Sequence, residues 1–404
     1  MFRDIRPVLS ALLRNRTGAV LVGLQVAIAL AVLVNAVYIV KQRVDLIGRP
    51  TGLDVANIFV LSSAGFTQDH DRYATMREDL AWLRSLPDVR AATSTNAIPL
   101  SGGGSSTGVA TVPKAGSEQT VPMNYFQVDE GGLETLGVTL AAGRNFRADE
   151  ILPPDPNSDR AIPQVIITKA LARSLFKTDD AVGKVVYDAF GRPTTVIGVI
   201  EHMQGSWLSW DKVDHVALVP EVASWSDNAY LVRTRPGTRA AVMRQAEEHL
   251  AASNTTRLIK FVRPLDYYRD RSYLSDRNMA VFLVTVTVLL AGVTALGIFA
   301  LATFNVNVRT RQVGTRRAVG ARRADIVRYF LVENWLVTTA GVVLGCALAL
   351  AAGYQLSRQF ELPRLDLYYL TGGVLALWLL GLAAAWQPAR RAAKISPSMA
   401  TRTI

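Results

Sequence analysis

The chain has one cysteine, Cys346, in 404 residues, which excludes an intrachain disulfide and a four-cysteine zinc or iron-sulfur site. Its four histidines, His70, His202, His215 and His249, stand singly and leave little from which to assemble a His-rich metal centre. No GxxxxGK[ST] occurs, and Gly183-Lys184 is followed by Val185, so these residues contain no P-loop. HExxH and CxxC are missing as well. Asp179 and Asp180 are adjacent, and chain neighbours need not converge on one substrate. The reading is of a protein that is not an enzyme by itself, with no cofactor or metal in this chain.

What is present is apolar length. Four runs carry no charge: 19–40, 279–304, 336–355 and 368–387. A helix rises about 1.5 Å per residue, so each can cross a hydrocarbon core of about 30 Å. The first run is longer than the roughly 7 to 15 residues of a signal h-region and ends at Lys41 and Arg43, so it is expected to be a retained anchor. None of the four contains Asp, Glu, Lys or Arg, which disfavours an ion channel or a proton-coupled carrier. Gly341 and Gly345 form a GxxxG suited to close helix packing.

The excess of 44 Lys+Arg over 33 Asp+Glu is not spread evenly. Arg3, Arg6, Arg14 and Arg16 face only Asp4 in residues 1–18, and seven arginines between 305 and 335 face only Asp325 and Glu333. The tail from 388 is also basic, through Arg390, Arg391, Lys394 and Arg402. The balance is therefore topological and not a nucleic-acid footprint. By the positive-inside rule these segments lie in the cytoplasm, and 41–278 and a short link at 356–367 lie outside. The expected fold is an α-helical membrane protein with four transmembrane helices and a large extracytoplasmic α/β (α+β) domain inserted between the first and second. Apolar positions 2, 5, 9, 12 and 13 have helical spacing, so residues 1–18 are expected to form an amphipathic helix on the cytoplasmic leaflet.

Within 41–278, strands are expected at 57–61, 89–96, 165–168, 194–200, 229–233 and 258–262, with helices at 71–86, 170–176 and 240–252. SGGGSS at 101–106 reads as a solvated loop, and ILPPDP at 151–156 as an excursion between two subdomains. Residues 267–278, with Tyr267, Tyr268, Arg271 and Tyr273, read as a stalk that continues the second span outward. The alternative for the three tyrosines is the interfacial aromatic belt.

The loop Arg309-Thr310-Arg311-Gln312-Val313-Gly314-Thr315-Arg316-Arg317-Ala318-Val319-Gly320-Ala321-Arg322-Arg323-Ala324-Asp325-Ile326, then Phe330-Leu331-Val332-Glu333, resembles that of FtsX-like, MacB-type ABC transporter permeases. The exit Pro388-Ala389-Arg390-Arg391-Ala392-Ala393-Lys394 is similar to the family's last helix. Asn124-Tyr125-Phe126, Ala142-Gly143-Arg144-Asn145-Phe146 and Thr195-Val196-Ile197-Gly198-Val199-Ile200 resemble its periplasmic core. Gln312 and Val308 stand where the family commonly has acidic residues, which leaves this loop more basic.

The resemblance implies a permease subunit of the bacterial inner membrane, with both termini cytoplasmic. ATP and Mg would be bound by a separate cytoplasmic ABC ATPase dimer. A second permease copy or a related permease would complete the assembly, and a periplasmic adaptor and outer-membrane channel are further partners the resemblance allows. ATP-driven motion would pass by mechanotransmission to the periplasmic domain and drive export or extraction of an amphipathic substrate. The coupling residues would be Arg311, Gly314, Arg316, Arg317, Gly320, Arg322, Arg323 and Asp325, with Arg316 and Arg317 the leading contacts and Glu333 paired to a cytoplasmic arginine. The alternative function is a regulatory or sensory module that controls a periplasmic hydrolase or a sensor kinase without moving cargo.

Overall fold

The computed structural model describes residues 16–67, 70–155, 160–223, 227–360 and 365–396. The amphipathic helix expected over 1–18 lies almost entirely outside them. Along the chain come α1 (Arg16–Ile47), β1 (Ile58–Gly65), α2 (Arg72–Ser85), β2 (Val89–Ser94), β3 (Ser106–Val109), β4 (Val121–Gln127), α3 (Gly132–Leu136) and β5 (Leu140–Gly143). Then follow β6 (Gln164–Thr168), α4 (Lys169–Phe176), β7 (Val185–Tyr187), β8 (Pro193–Ile200), β9 (Val216–Val219), β10 (Asp227–Thr234), α5 (Arg239–Ser253) and β11 (Arg257–Pro264). The chain closes with α6 (Leu265–Ser272), α7 (Leu274–Val308), α8 (Thr310–Ala318), α9 (Arg323–Phe360) and α10 (Leu367–Ala392). It divides into two units, one of residues 46–275 and one of 1–45 with 276–404.

The larger unit is layered. One sheet has the order β11-β1-β10-β2, and the other β3-β4-β9-β6-β8-β5, with β7 also on β8. Period-2 alternation assigns each strand to two cores. Ile58 and Val60 of β1, Leu231 of β10, Phe126 of β4 and Leu218 of β9 fill the space between the sheets. Phe59, Leu61, Tyr230 and Val232 point the other way, under α2 and α5. Val165, Ile167, Ala217 and Val219 form the outer face of the seven-stranded sheet, with α4 against it. Asp71 caps α2 by accepting from the Ala74 amide at 3.0 Å, and Thr168 caps α4 by accepting from Leu171 at 3.4 Å.

Three expectations change. ILPPDP does not join subdomains: Leu152 bridges to Glu221 beside the seven-stranded sheet, and the chain passes between sheets after β2 and again before β10. SGGGSS is a loop only as far as Ser105, since Ser106 opens β3 and pairs with Asn124. The stalk is not one helix, because Tyr273 at φ −88°, ψ 1° separates α6 from α7.

In the second unit α1, α7, α9 and α10 are each long and apolar enough to cross a membrane. Val26 and Leu30 of α1, Ile298 of α7, Val342 of α9 and Leu377 of α10 share one core. A Cβ on Gly341 would lie 2.5 Å from the Gly23 carbonyl oxygen, and one on Gly345 would lie 2.9 Å from that of Ala27. The GxxxG of α9 thus packs closely against α1. Asn35 donates to Ala31 O at 2.9 Å and to Ala349 O at 3.2 Å, satisfying its amide within the same seam.

Candidate functional site

The arginine-rich segment is not an open loop. Apolar positions inside it fold it back onto the helix ends: Val313 of α8 joins Val306 of α7, Ile326 and Phe330 of α9, and Ala389 and Ala392 of α10 in a small cluster. The helices therefore extend beyond the uncharged runs, and α9 begins at Arg323, well before the apolar stretch at 336. Gly314 is buried beside Val313 in α8. Gly320 takes φ 103° and so makes the reversal between α8 and α9. Asp325 caps α9, its carboxylate accepting from the Arg322 amide at 3.0 Å.

The charged groups sort into two sets. Arg309, between α7 and α8, donates to Glu333 Oε2 at 2.9 Å and to the Tyr329 hydroxyl at 3.2 Å, and Asn305 donates to Glu333 Oε1 at 3.3 Å. Glu333 is 3% exposed, so its pairing is a condition of its burial. Arg317 points back to α10, donating to Ala393 O at 2.9 Å and Ile395 O at 3.0 Å. The Arg316 guanidinium lies 4.8 Å from the centre of the Tyr329 ring. These groups brace α8 against the ends of α7, α9 and α10. The second set faces outward: Arg311, Arg322 and Arg323 are exposed, and between them Val319 is 84% exposed at the tip of the reversal.

Arg317, expected to be a leading contact for a partner, is engaged within the chain, whereas Arg316, the other, lies beside the Tyr329 ring and is exposed, as are Arg311, Arg322 and Arg323. Glu333 meets its arginine, and that arginine is Arg309. Sequence reasoning passed over Val319, whose signal was an apolar residue amid arginines immediately before a glycine. Glu333 lies ten residues into helix α9, just ahead of the uncharged run that begins at 336.

The stalk residues belong to the periphery of the layered unit. Tyr273 is buried and donates to Leu46 O at 3.0 Å. Tyr268 packs edge-on to Phe261, and burial pushes its hydroxyl above the ordinary tyrosine pKa. Tyr267 sits under the Arg263 guanidinium at 4.8 Å, and Arg271 is exposed. Tyr273 joins the core between the sheets and Tyr268 packs against it. Among the described residues no group of three or more His, Cys, Asp or Glu could hold a metal ion.

Residues 17–249 match the MacB-like periplasmic core domain family, and residues 284–397 match the FtsX-like permease C-terminal family. The macrolide export ATP-binding/permease protein MacB of Escherichia coli strain K12 is 27% identical over 402 residues, covering 96% of this chain and 58% of that protein. The protein of that name from Shigella flexneri matches to the same extent. The chain thus spans little more than half the length of the curated relatives it matches. The periplasmic region of MacB from Actinobacillus actinomycetemcomitans is 15% identical over 55% of this chain and 94% of its own, at a TM-score of 0.34. For the extracellular domain of the noncanonic ABC-type transporter YknZ from Gram-positive bacteria the values are 16%, 50%, 100% and 0.32.

Proposed function

The chain belongs to the FtsX-like, MacB-type family of ABC transporter permeases, and on that premise we propose that it converts ATP hydrolysis in the cytoplasm into rearrangement of its periplasmic domain. The ATPase lies outside these 404 residues, which contain no P-loop. Two ATPase subunits serve a pair of permeases, made of two copies of this chain or of this chain and a relative. The work done in the periplasm exports or extracts an amphipathic substrate, with a periplasmic adaptor and outer-membrane channel as further partners. Both termini and α8 are cytoplasmic.

One observation carries the reading: α8 is braced by Arg309, Arg317 and Val313 against three helix ends and offers only its outer surface to a partner. A push on that surface is then delivered to α7, α9 and α10 together. The docking contacts are Val319, Arg311, Arg322 and Arg323, an apolar tip ringed by charge that suits an acidic groove. Arg316, Arg317, Gly314, Gly320 and Asp325 hold the shape of that surface.

The test is pull-down of the tagged full chain from its native membranes, scored for a P-loop ATPase. The wild type should retain it. Val319→Asp combined with Arg322→Glu and Arg323→Glu should reduce retention at least tenfold, with membrane insertion unchanged. Undiminished retention in that variant would reject the docking surface, and absence of any ATPase from the wild type would reject the reading itself.

A further inference from the structure

Helix α10 presents two different faces. Leu370, Leu377, Gly381, Ala385, Ala389 and Ala392 recur at helical spacing and are buried. The opposite face carries Leu375, 57% exposed, Leu379, 68%, and Trp386, 50%. One turn beyond Trp386 stands Arg390, with Arg391 and Lys394 next to it, and all three are exposed. At 3.6 residues per turn, positions 375, 379, 386 and 390 fall within about 60° of one another, so they form one stripe.

The order along that stripe follows the depth profile of a single leaflet. Leucines suit acyl chains, a tryptophan suits the interface, and cations suit the level of anionic headgroups. At about 1.5 Å per residue, Trp386 lies about 10 Å from Leu379, and Arg390 about 6 Å further on. The cations are also uncompensated. No Asp or Glu occurs from 367 to 404, and among the described residues no carboxylate pairs with Arg390, Arg391 or Lys394. The two acids of the neighbouring arginine-rich segment are committed elsewhere, Asp325 to the Arg322 amide and Glu333 to Arg309. An acidic protein surface would answer the charges and leave the leucines and tryptophan in line with them unaccounted for. An anionic lipid answers both.

We propose that this face of α10 is a binding site for an anionic phospholipid. Arg390 and Lys394 hold the phosphate with Arg391 beside them, the glycerol region lies against Trp386, and the chains run along Leu379 and Leu375. The site stands apart from the coupling reading, since such a lipid can be held whether or not an ATPase docks.

The test uses the full chain in phosphatidylcholine nanodiscs without ATPase, a minor fraction of the lipid being brominated phosphatidylglycerol or brominated phosphatidylcholine. Bromine quenches tryptophan at contact, and subtracting the Trp386→Phe signal in each background isolates Trp386. Brominated phosphatidylglycerol should quench it at least threefold more than brominated phosphatidylcholine. Arg390→Gln, Arg391→Gln and Lys394→Gln together should make the two lipids equal, and Arg390→Gln alone should lower the preference if the triple variant does not insert. Removing as many charges through Arg311→Gln, Arg322→Gln and Arg323→Gln should leave the preference intact. Equal quenching in the wild type, a preference that survives the loss of the α10 cations, or its loss in the control variant would overturn the site. Quenching by neither lipid would show that protein, such as a second copy of this chain, covers the face, and would overturn it as well.

Discussion

At the residue scale, the layered unit is pinned by charges that are inaccessible to water. Asp79 of α2 pairs with Arg257 of β11, their side chains 6% and 1% exposed, and accepts from the Tyr230 hydroxyl at 2.6 Å. Burial, then the nearby Asp79 charge, drives the Tyr230 pKa up, so the hydroxyl stays a donor. Arg257 also donates to Leu250 O at 2.7 Å and Ser253 Oγ at 2.8 Å, tying α5 to the same point. Removing one member strands the other, a loss of about 3–5 kcal/mol in comparable pairs. Asp79→Asn should therefore lower the stability of the layered unit by about that amount in urea unfolding followed by tryptophan fluorescence. A partly exposed pair gives a different signature. Glu150 accepts from both Arg144 terminal nitrogens at 2.7 Å and from the Arg147 amide at 2.9 Å, which holds its carboxyl down to about 2, chiefly through Arg144. A lowered carboxylate pKa stabilises fully above its ordinary value near 4.5, and the contribution fades as pH falls from there towards about 2. Arg144→Gln should flatten that part of the curve when unfolding midpoints are followed from neutral to acid pH. Arg144 is 40% exposed, so solvent screens the pair and the change will be modest.

At the element scale, glycine placement separates helix faces that pack from those that do not. Gly341 and Gly345 face α1 with backbone or Cβ atoms closer than 3 Å to an added Cβ, whereas a Cβ on Gly292 of α7 would meet nothing within 4 Å. Gly345→Leu should lower the thermal midpoint in detergent by overpacking, at about 1–3 kcal/mol, and Gly292→Leu should leave it unchanged. The same contrast explains what the sequence made legible. β1, β6, β8 and β10 are rich in β-branched or aromatic residues and several residues long, and their positions were readable from pattern. β5 (LAAG) and β9 (VALV) have four residues each, and β4 contains Pro122 and Asn124, so none carries an uninterrupted alternating signal. Yet β9 lies between β4 and β6, held by partners far away in the chain. The division into two sheets was hidden for a related reason: β1 takes its neighbours β10 and β11 from beyond residue 226. At the candidate site, composition located the arginines but could not tell which turn inward. Arg317 faces α10 because Val313 and Gly314, on the same side of α8, are the residues that can be buried.

At the scale of the whole molecule, the proposed function depends on α8 and the layered unit lying on opposite sides of one bilayer. Four helices that each cross the bilayer would put the layered unit and α8 on alternating sides, and the arginine bias is the ground for proposing that α8 is on the cytoplasmic one. The chain offers a direct probe of this, because its single cysteine can be removed without touching either surface. In a Cys346→Ala background, Val319→Cys places a thiol at the exposed tip after α8, and Phe190→Cys places one in the exposed turn before β8. A membrane-impermeant maleimide added to intact spheroplasts should label Phe190→Cys and spare Val319→Cys. Inverted inner-membrane vesicles should give the opposite result. Labelling of both thiols from one side would mean that the helices do not separate them, and force applied at α8 would then have no membrane to cross.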